Sequence, residues 1–299
     1  MPNDQQVGTQ EIRSRFYDKT IKGITEKTYK FKQLVTVIST SAWKNFFYRE
    51  DPAVLSVSNA STTRGLPRGA NFPQAVAKWQ LISKNIEKYG IEDNIFWEDI
   101  LSNDIGVQSR TLVKLSEKIA KDVDDQIWAD LGGTLTTAGT SNENIKLISS
   151  FSIIGKEWNE TSAAILDDLM RAKQILAENY YPTDNLKLVV SPRDHRSIIN
   201  YVADKGTQFP KLAEGVMTNG NQGNLAGFDI IVSPSVTASG AMVVVPQRCA
   251  NWVELVPLQS TSIEDPYKSV KIRCVEEGAL QLTDPKAIVM VLGTQNSRA

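Results

Sequence analysis

One histidine, two cysteines and no long apolar run mark this sequence of 299 residues, and its charges cancel, with 33 Lys and Arg against 34 Asp and Glu. Each scarcity excludes a class of function. His195 is the single imidazole, and Cys249 and Cys274 stand far apart, so the paired ligands of a zinc site are missing. The cysteines have no CxxC spacing and build no disulfide framework. Two free thiols suit a reducing compartment. The longest apolar runs, such as Ala287 to Leu292, fall far short of the about 20 residues that span a bilayer. The opening MPNDQQVGTQ lacks a basic-then-apolar signal pattern, and no membrane partner is expected. Balanced charge with no block of one sign leaves no footprint for wrapping nucleic acid, so any contact with DNA would be local or loose.

Catalytic constellations are equally sparse. His195 lies at the start of a helix opened by Pro192, shortly before Ile198 and Ile199, where a packed structural histidine is usual. Ser191 and Asp194 are its neighbours, but residues on one helical turn mostly point apart, whereas a triad must converge. Asp122, Asp124, Asp125 and Asp130 alternate with Lys118 and Lys121, the pattern of a solvated helix face with i,i+4 pairs. No GxxxxGK[ST] phosphate loop occurs, and the GNQGNLAG stretch at Gly220 to Gly227 lacks the flanking strand and helix of a dinucleotide fingerprint. Its glycines read as turns. No catalytic residue, cofactor or metal ligand is predicted, and the chain is read as a protein without enzymatic activity.

What is present is an unusually long helix. In Ser102 to Gly133, Ile105, Leu112, Leu115, Ile119, Val123, Ile127 and Leu131 recur at steps of three, four or seven, one narrow apolar stripe. Ser102, Asn103 and Asp104 can cap its start, and Gly132-Gly133 can supply the left-handed stop. From Asp104 to Leu131 such a helix is roughly 40 Å long at about 1.5 Å per residue, more than one ordinary domain core needs. A coiled coil is the rival reading, but its e/g charges do not repeat cleanly. A flat, extended molecule fits better.

The chain around this helix has a definite order. Met1 to about Gln33 is polar, with scattered apolar residues, and reads as an arm that must borrow surface from a neighbour to be ordered. Leu34 to Ile38 is strand-like, and Trp43, Phe46, Phe47 and Tyr48 predict an aromatic knot where the chain reaches a core. Between Arg49 and Lys84 the Ser-, Thr-, Gly- and Pro-rich composition, with Arg64 and Arg68 in RGLPRG, predicts a disordered loop or a two-stranded flap held by something outside its own domain. Arg64 and Arg68 are either a solvated tip or salt-bridge partners of another subunit. Trp79, Leu81, Ile86 and Tyr89 return to a strand rhythm.

After Gly133 a small-residue link (TLTTAGTSNEN) marks a boundary, and helix and strand then alternate. Thr161 or Ser162 is expected to cap a helix burying Ile165, Leu169, Ala172 and Leu176. Leu186 to Val190 reads as a strand, Ser191-Pro192 as a helix start, and Phe228 to Val232, Met242 to Val245 and Trp252 to Val256 as further strands. Beyond Ser262 a half-exposed strand alternates Val270, Ile272 and Cys274 with Ser269, Lys271 and Arg273. Glu276-Glu277-Gly278 punctuates it, and Lys286 to Leu292 is expected to return to the strands that precede the long helix.

That order, with IEKYGIEDNIFWEDI before the helix, KLSEKIAKDVDDQIW within it, LVVSPRDHRSIINYVAD, LAGFDIIVSPSVTASGAMVVVPQ and VKIRCVEEGALQLTDPKAIVMV, resembles the major capsid proteins of tailed double-stranded DNA viruses with the HK97-type fold. The resemblance covers nearly the whole chain and rests on the joint order of these stretches. It implies an α+β fold with residues 1–33 as N-terminal arm, 49–84 as an extended β-hairpin flap (the E-loop), and Ser102 to Gly133 as spine helix. Residues 34–48, 79–133 and 260–299 would form the P-domain, and 134–259 the A-domain. It implies self-assembly into pentamers and hexamers that close an icosahedral shell and retain double-stranded DNA non-specifically, in virions assembled in the host cytoplasm. A separate scaffolding protein, a portal and decoration proteins are the further partners.

Arg64, Arg68, Lys78, Lys84, Glu276 and Glu277 are the expected inter-subunit contacts. Some relatives join subunits through a Lys and an Asn; nothing singles out such a partner for Lys78 or Lys84, so no covalent crosslink is expected. The sequence shows no long charged helical extension that would act as a built-in scaffold, which implies a processed chain or a separate scaffold. An encapsulin-like compartment for protein cargo ranks second, because its relatives tend to begin with a cargo-groove helix where this chain has an extended arm. An enzyme would require a pocket that the sequence does not reveal.

Overall fold

A computed structural model describes residues 29–50, 67–69, 71, 79–98, 107–135, 145–153, 155–160, 162–205, 223–237 and 239–295. The cap candidates Ser102, Asn103 and Asp104, as well as Ile105, Thr161 and the 136–144 link, lie outside them.

The long helix, α1 (Val107–Trp128), buries Leu112, Leu115, Ile119, Val123 and Ile127, the stripe its sequence specifies, and Leu131 beyond its end. It continues into a π turn over Ala129–Gly133 and stops at Gly132, whose φ of +118° only glycine adopts at low cost. Gly133 is needed for a different reason: a Cβ there would lie 2.1 Å from the Trp128 indole nitrogen.

Two larger sheets flank this axis. Strands β1 (Thr36–Ser39), β4 (Glu87–Phe96), β10 (Ala250–Asp265) and β11 (Ser269–Leu282) form a four-stranded sheet in the order β1-β10-β11-β4. β11 is half exposed up to Arg273 and Cys274, as its alternation predicts, then buried from Gly278 to Leu282. Glu276-Glu277-Gly278 does not interrupt it. Gly278 lies inside the strand because the Trp252 ring of β10 occupies the place of its side chain, and a Cβ would meet that ring at 2.5 Å.

The second sheet runs β5-β12-β9-β6-β8-β7, from β5 (Ser149–Ser152), β6 (Leu186–Val190), β7 (Asn224–Leu225), β8 (Phe228–Val232), β9 (Gly240–Val244) and β12 (Ile288–Leu292). β7 and β8 are joined by Ala226 and Gly227, both at positive φ, so Gly227 of GNQGNLAG does make a tight hairpin turn. The return of residues 286–292 to the strands before the long helix is a wrong expectation. β12 inserts between β5 and β9, where all five of its apolar residues are buried, and the half-exposed four-stranded sheet offers no such place. Likewise β10 runs as one strand across residue 259, with register shifts against β11 between Glu254 and Gln259 and regular pairing from Gln259 onward.

Helix α2 (Ile165–Glu178) buries Ile165, Leu169, Ala172 and Leu176 as expected, but its N-cap is Ala164, with no side-chain cap. Ser162 lies two residues too early to cap it, and Asp167 and Asp168 supply negative charge to the first turn. Helix α3 (Pro192–Asp204) starts as its sequence specifies: the Ser191 hydroxyl accepts the Asp194 amide at 3.1 Å and donates to the Asp194 carboxylate at 2.8 Å. Both cysteines are buried and form no disulfide, and burial pushes the Cys249 thiol up to about 12.

Candidate assembly surfaces

Among the described residues a third sheet pairs two strands, β2 (Lys44–Glu50) and β3 (Trp79–Asn85), antiparallel. Its register places Phe46 opposite Ser83, Tyr48 opposite Leu81 and Glu50 opposite Trp79, so Phe46, Tyr48, Leu81 and Trp79 share one face. Nothing in the subunit covers that face among the described residues: Phe46 and Tyr48 are 62% exposed, Trp79 56% and Leu81 55%. The aromatic knot expected at residues 43–48 is therefore not a core. A two-stranded ribbon has no second layer of its own, and an exposed apolar patch of aromatic strand formers is the kind of face that marks a contact surface.

The opposite face of the ribbon, with Phe47, Arg49, Ile82 and Lys84, looks onto the body across a cavity of about 320 Å³ bounded by Gln126, Asp130, Ile145, Leu280 and Leu282. Lys84 pairs across it with Asp130, at the π turn that ends α1. Lys84 is thus engaged within its own subunit, whereas its sequence position beside the flap pointed to a neighbour.

The other expected contact residues divide. Arg68 is exposed at a turn. Arg64 and Lys78 lie outside the described residues. Glu277 is part-buried, with Lys88 of β4 at 3.5 Å. Glu276 is a correction: it is fully buried, with its carboxylate taken by the Tyr29 hydroxyl and by Lys32 at 2.5 Å, so it cannot meet another subunit. Its position on the inward face of β11 decides this, and an EE pair in sequence does not reveal it.

These partners belong to a cluster that sequence inspection missed, where residues 29–34 meet α1 and the four-stranded sheet. Phe31 and Leu34 are fully buried, and Phe31 packs against Trp128 with ring centroids 5.9 Å apart. Asp124 of α1 accepts the backbone N–H groups of Lys30 (2.9 Å) and Phe31 (3.2 Å). Burial pushes Asp124 up to about 6 against the pull of those two bonds. Lys32 joins Glu276 to Glu254 (2.9 Å) and stands over the Tyr29 ring at 4.1 Å. Burial and the nearby Glu276 raise the Tyr29 hydroxyl far above its ordinary value. Residues 29–34 are therefore bound to the body by charge and by core packing.

A second exposed apolar group, Phe96, Trp97, Ile263 and Tyr267, sits at the far end of β4, β10 and β11, where Trp97 meets Tyr267 edge-on at 6.1 Å. Among the described residues no group of His, Cys, Asp and Glu could hold a metal ion, and no helix is long and apolar enough to cross a membrane. Ser191 and Asp194 converge, contrary to the expectation that they point apart, but they do so as the cap of α3.

A long helix laid along a sheet, a second sheet with its own helices, an anchored arm root and a projecting ribbon define the HK97-type capsid fold, the α+β class expected. The chain belongs to the phage capsid protein family, whose model matches residues 82–291. It is 25% identical over 175 residues to the major capsid protein of Escherichia phage T7, a match covering 53% of this chain and 50% of that one. The chain thus spans about half the length of the curated relatives it matches. Among solved structures, it is similar to the virus-like particle from Pyrococcus furiosus (TM-score 0.63, 12% identity, 93% of this chain and 99% of that one). The capsid of cyanophage P-SCSP1u is also similar (TM-score 0.63, 15% identity, 88% and 87%). At such identities the likeness is one of fold. The relatives by sequence are structural proteins of the virion.

Proposed function

We propose that this chain is the shell-building subunit of a tailed phage, forming pentamers and hexamers that close an icosahedral capsid around double-stranded DNA. The observation that carries this reading is the aromatic face of the β2–β3 ribbon, exposed on a subunit whose helices and most of whose other strands share an extensive core. An apolar face of that kind is stable in water only when it is covered, and closed symmetric assembly covers it with a second copy of the same chain. The division into arm, flap, spine helix, P-domain and A-domain is part of this proposal, with β12 assigned to the sheet of the A-domain and the whole of β10 to the P-domain. Arg68, exposed at a turn in the flap, remains a contact residue in this scheme, whereas Lys84 and Glu276 do not.

The net charge of −1 supports non-specific retention of DNA, since tight binding to the wall would hinder packing and ejection. Assembly in the host cytoplasm with a scaffolding protein, a portal and decoration proteins completes the scheme. The family match to phage capsid proteins favours a DNA-filled shell over a compartment for protein cargo.

Negative-stain microscopy of the purified protein, with absorbance at 260 and 280 nm on any large particle, tests the reading. Polyhedral shells, tubes or sheets of capsomers are expected, with nucleic acid in particles from infected cells. Small discrete particles at high concentration and with crowding agents would overturn it.

A further inference from the structure

We propose that the Lys84–Asp130 pair is a latch that sets the angle of the β2–β3 ribbon against the subunit, with the cavity beneath the ribbon as the space that lets it re-aim. Three observations converge on this. The ribbon joins neither of the larger sheets, so no ladder of backbone hydrogen bonds holds its direction. Its base is narrow: the Ile86 amide donates to the Trp43 carbonyl at 3.0 Å, and Ile86 packs in a small cluster of its own with Val253 and Ala279, apart from the main core. Between its inner face and the body lies a cavity of about 320 Å³, beside which the buried Arg49 is a packed contact of the ribbon with the body.

Lys84 bridges that space. Its partner Asp130 sits in the π turn at the end of α1, and Gln126, one turn earlier, donates to the same carboxylate oxygen at 3.2 Å. The latch therefore ties the ribbon to the last turn of the long helix, where a π turn marks irregular hydrogen bonding. With the pair closed the ribbon points one way. With it open the ribbon turns about residues 40–43 and 86 without loss of either larger sheet.

The inference rests on the proposed assembly only for its purpose, because the latch is a property of one subunit. Spin labels on Leu81→Cys and Lys121→Cys read the angle. The native cysteines are buried and do not compete, the label on Leu81 obstructs the face proposed to meet a neighbour, and dilution with unlabelled chains removes distances between subunits. The otherwise unaltered chain is expected to show one narrow distance distribution. Lys84→Met and Asp130→Asn should each shift and broaden it, and the swap K84D/D130K should restore it. An unchanged distribution in both single variants, or a swap as broad as the singles, overturns the latch. Circular dichroism separates loss of fold from loss of angle. A latch that fails in a chain that still forms shells, or holds in one that forms none, shows which of the two inferences is wrong.

Discussion

Replacing Lys32 by methionine removes the charge at the arm root and keeps the apolar stem in place. In the structure Lys32 Nζ is 2.9 Å from Glu254 and 2.5 Å from Glu276, and the Glu276 side chain is fully buried. Without the cation, Glu276 keeps the Tyr29 hydroxyl and loses the one charge that offsets its burial. Orphaning one member of a buried pair costs about 3–5 kcal/mol, several times a surface pair. For a chain of this size that is roughly a 6–10 °C drop in denaturation midpoint. The assay is thermal or urea denaturation of subunits at a concentration too low for assembly. The double variant K32M/E276Q should recover most of the loss, because the uncompensated charge is gone. A loss below about 1 kcal/mol, or additive losses in the double variant, would refute the reasoning.

Tyr48→Ser, Trp79→Ser and Leu81→Ser should each leave subunit stability within about 0.5 kcal/mol, since these side chains are more than half exposed, yet abolish or sharply reduce shells seen by microscopy; normal shell yield would refute the ribbon's role. Gly278→Ala should cost about 1–3 kcal/mol in urea denaturation by forcing a methyl into the Trp252 ring, and unchanged stability would show that the ring has room to move. Burial raises Asp124 and Asp194 from 3.8 to about 6, so the folded chain holds protons there that the unfolded chain releases. Their contribution is fully present below about pH 3.8 and is lost as pH rises through about 6, a fall of up to about 3 kcal/mol for each group. Asp124→Asn should flatten its share of that slope in denaturation curves taken from pH 4 to 7, and an unaltered slope would contradict the shift.

Residues that act over one turn of chain were legible. The stripe from Leu112 to Leu131, the Gly132 stop, the Ser191-Pro192 start of α3 and the Gly227 turn need only their neighbours in sequence. Of the candidate site, the sequence marked Trp43, Phe46 and Tyr48 as strand-forming aromatics but misjudged them as core. Phe46, Tyr48 and Trp79 are good strand formers wherever they occur, and alternation cannot say whether a second layer lies over them. Glu276 and Lys84 find partners within the subunit, Tyr29, Lys32 and Asp130, that are remote in sequence, and an acidic pair or a lysine near a loop looks the same whether it faces solvent or a buried partner.

By itself, the order of residues determined the long helix and, through the joint order of its stretches, the capsid fold, since helical period acts over a few residues. The tertiary structure alone decided that β12 sits between β5 and β9 in the six-stranded sheet, that residues 29–34 are bound through Asp124, Lys32 and Glu276, and that, among the described residues, nothing covers the ribbon's aromatic face. Each of these depends on which distant segment arrives at a given face, and that is settled by burial of the whole chain.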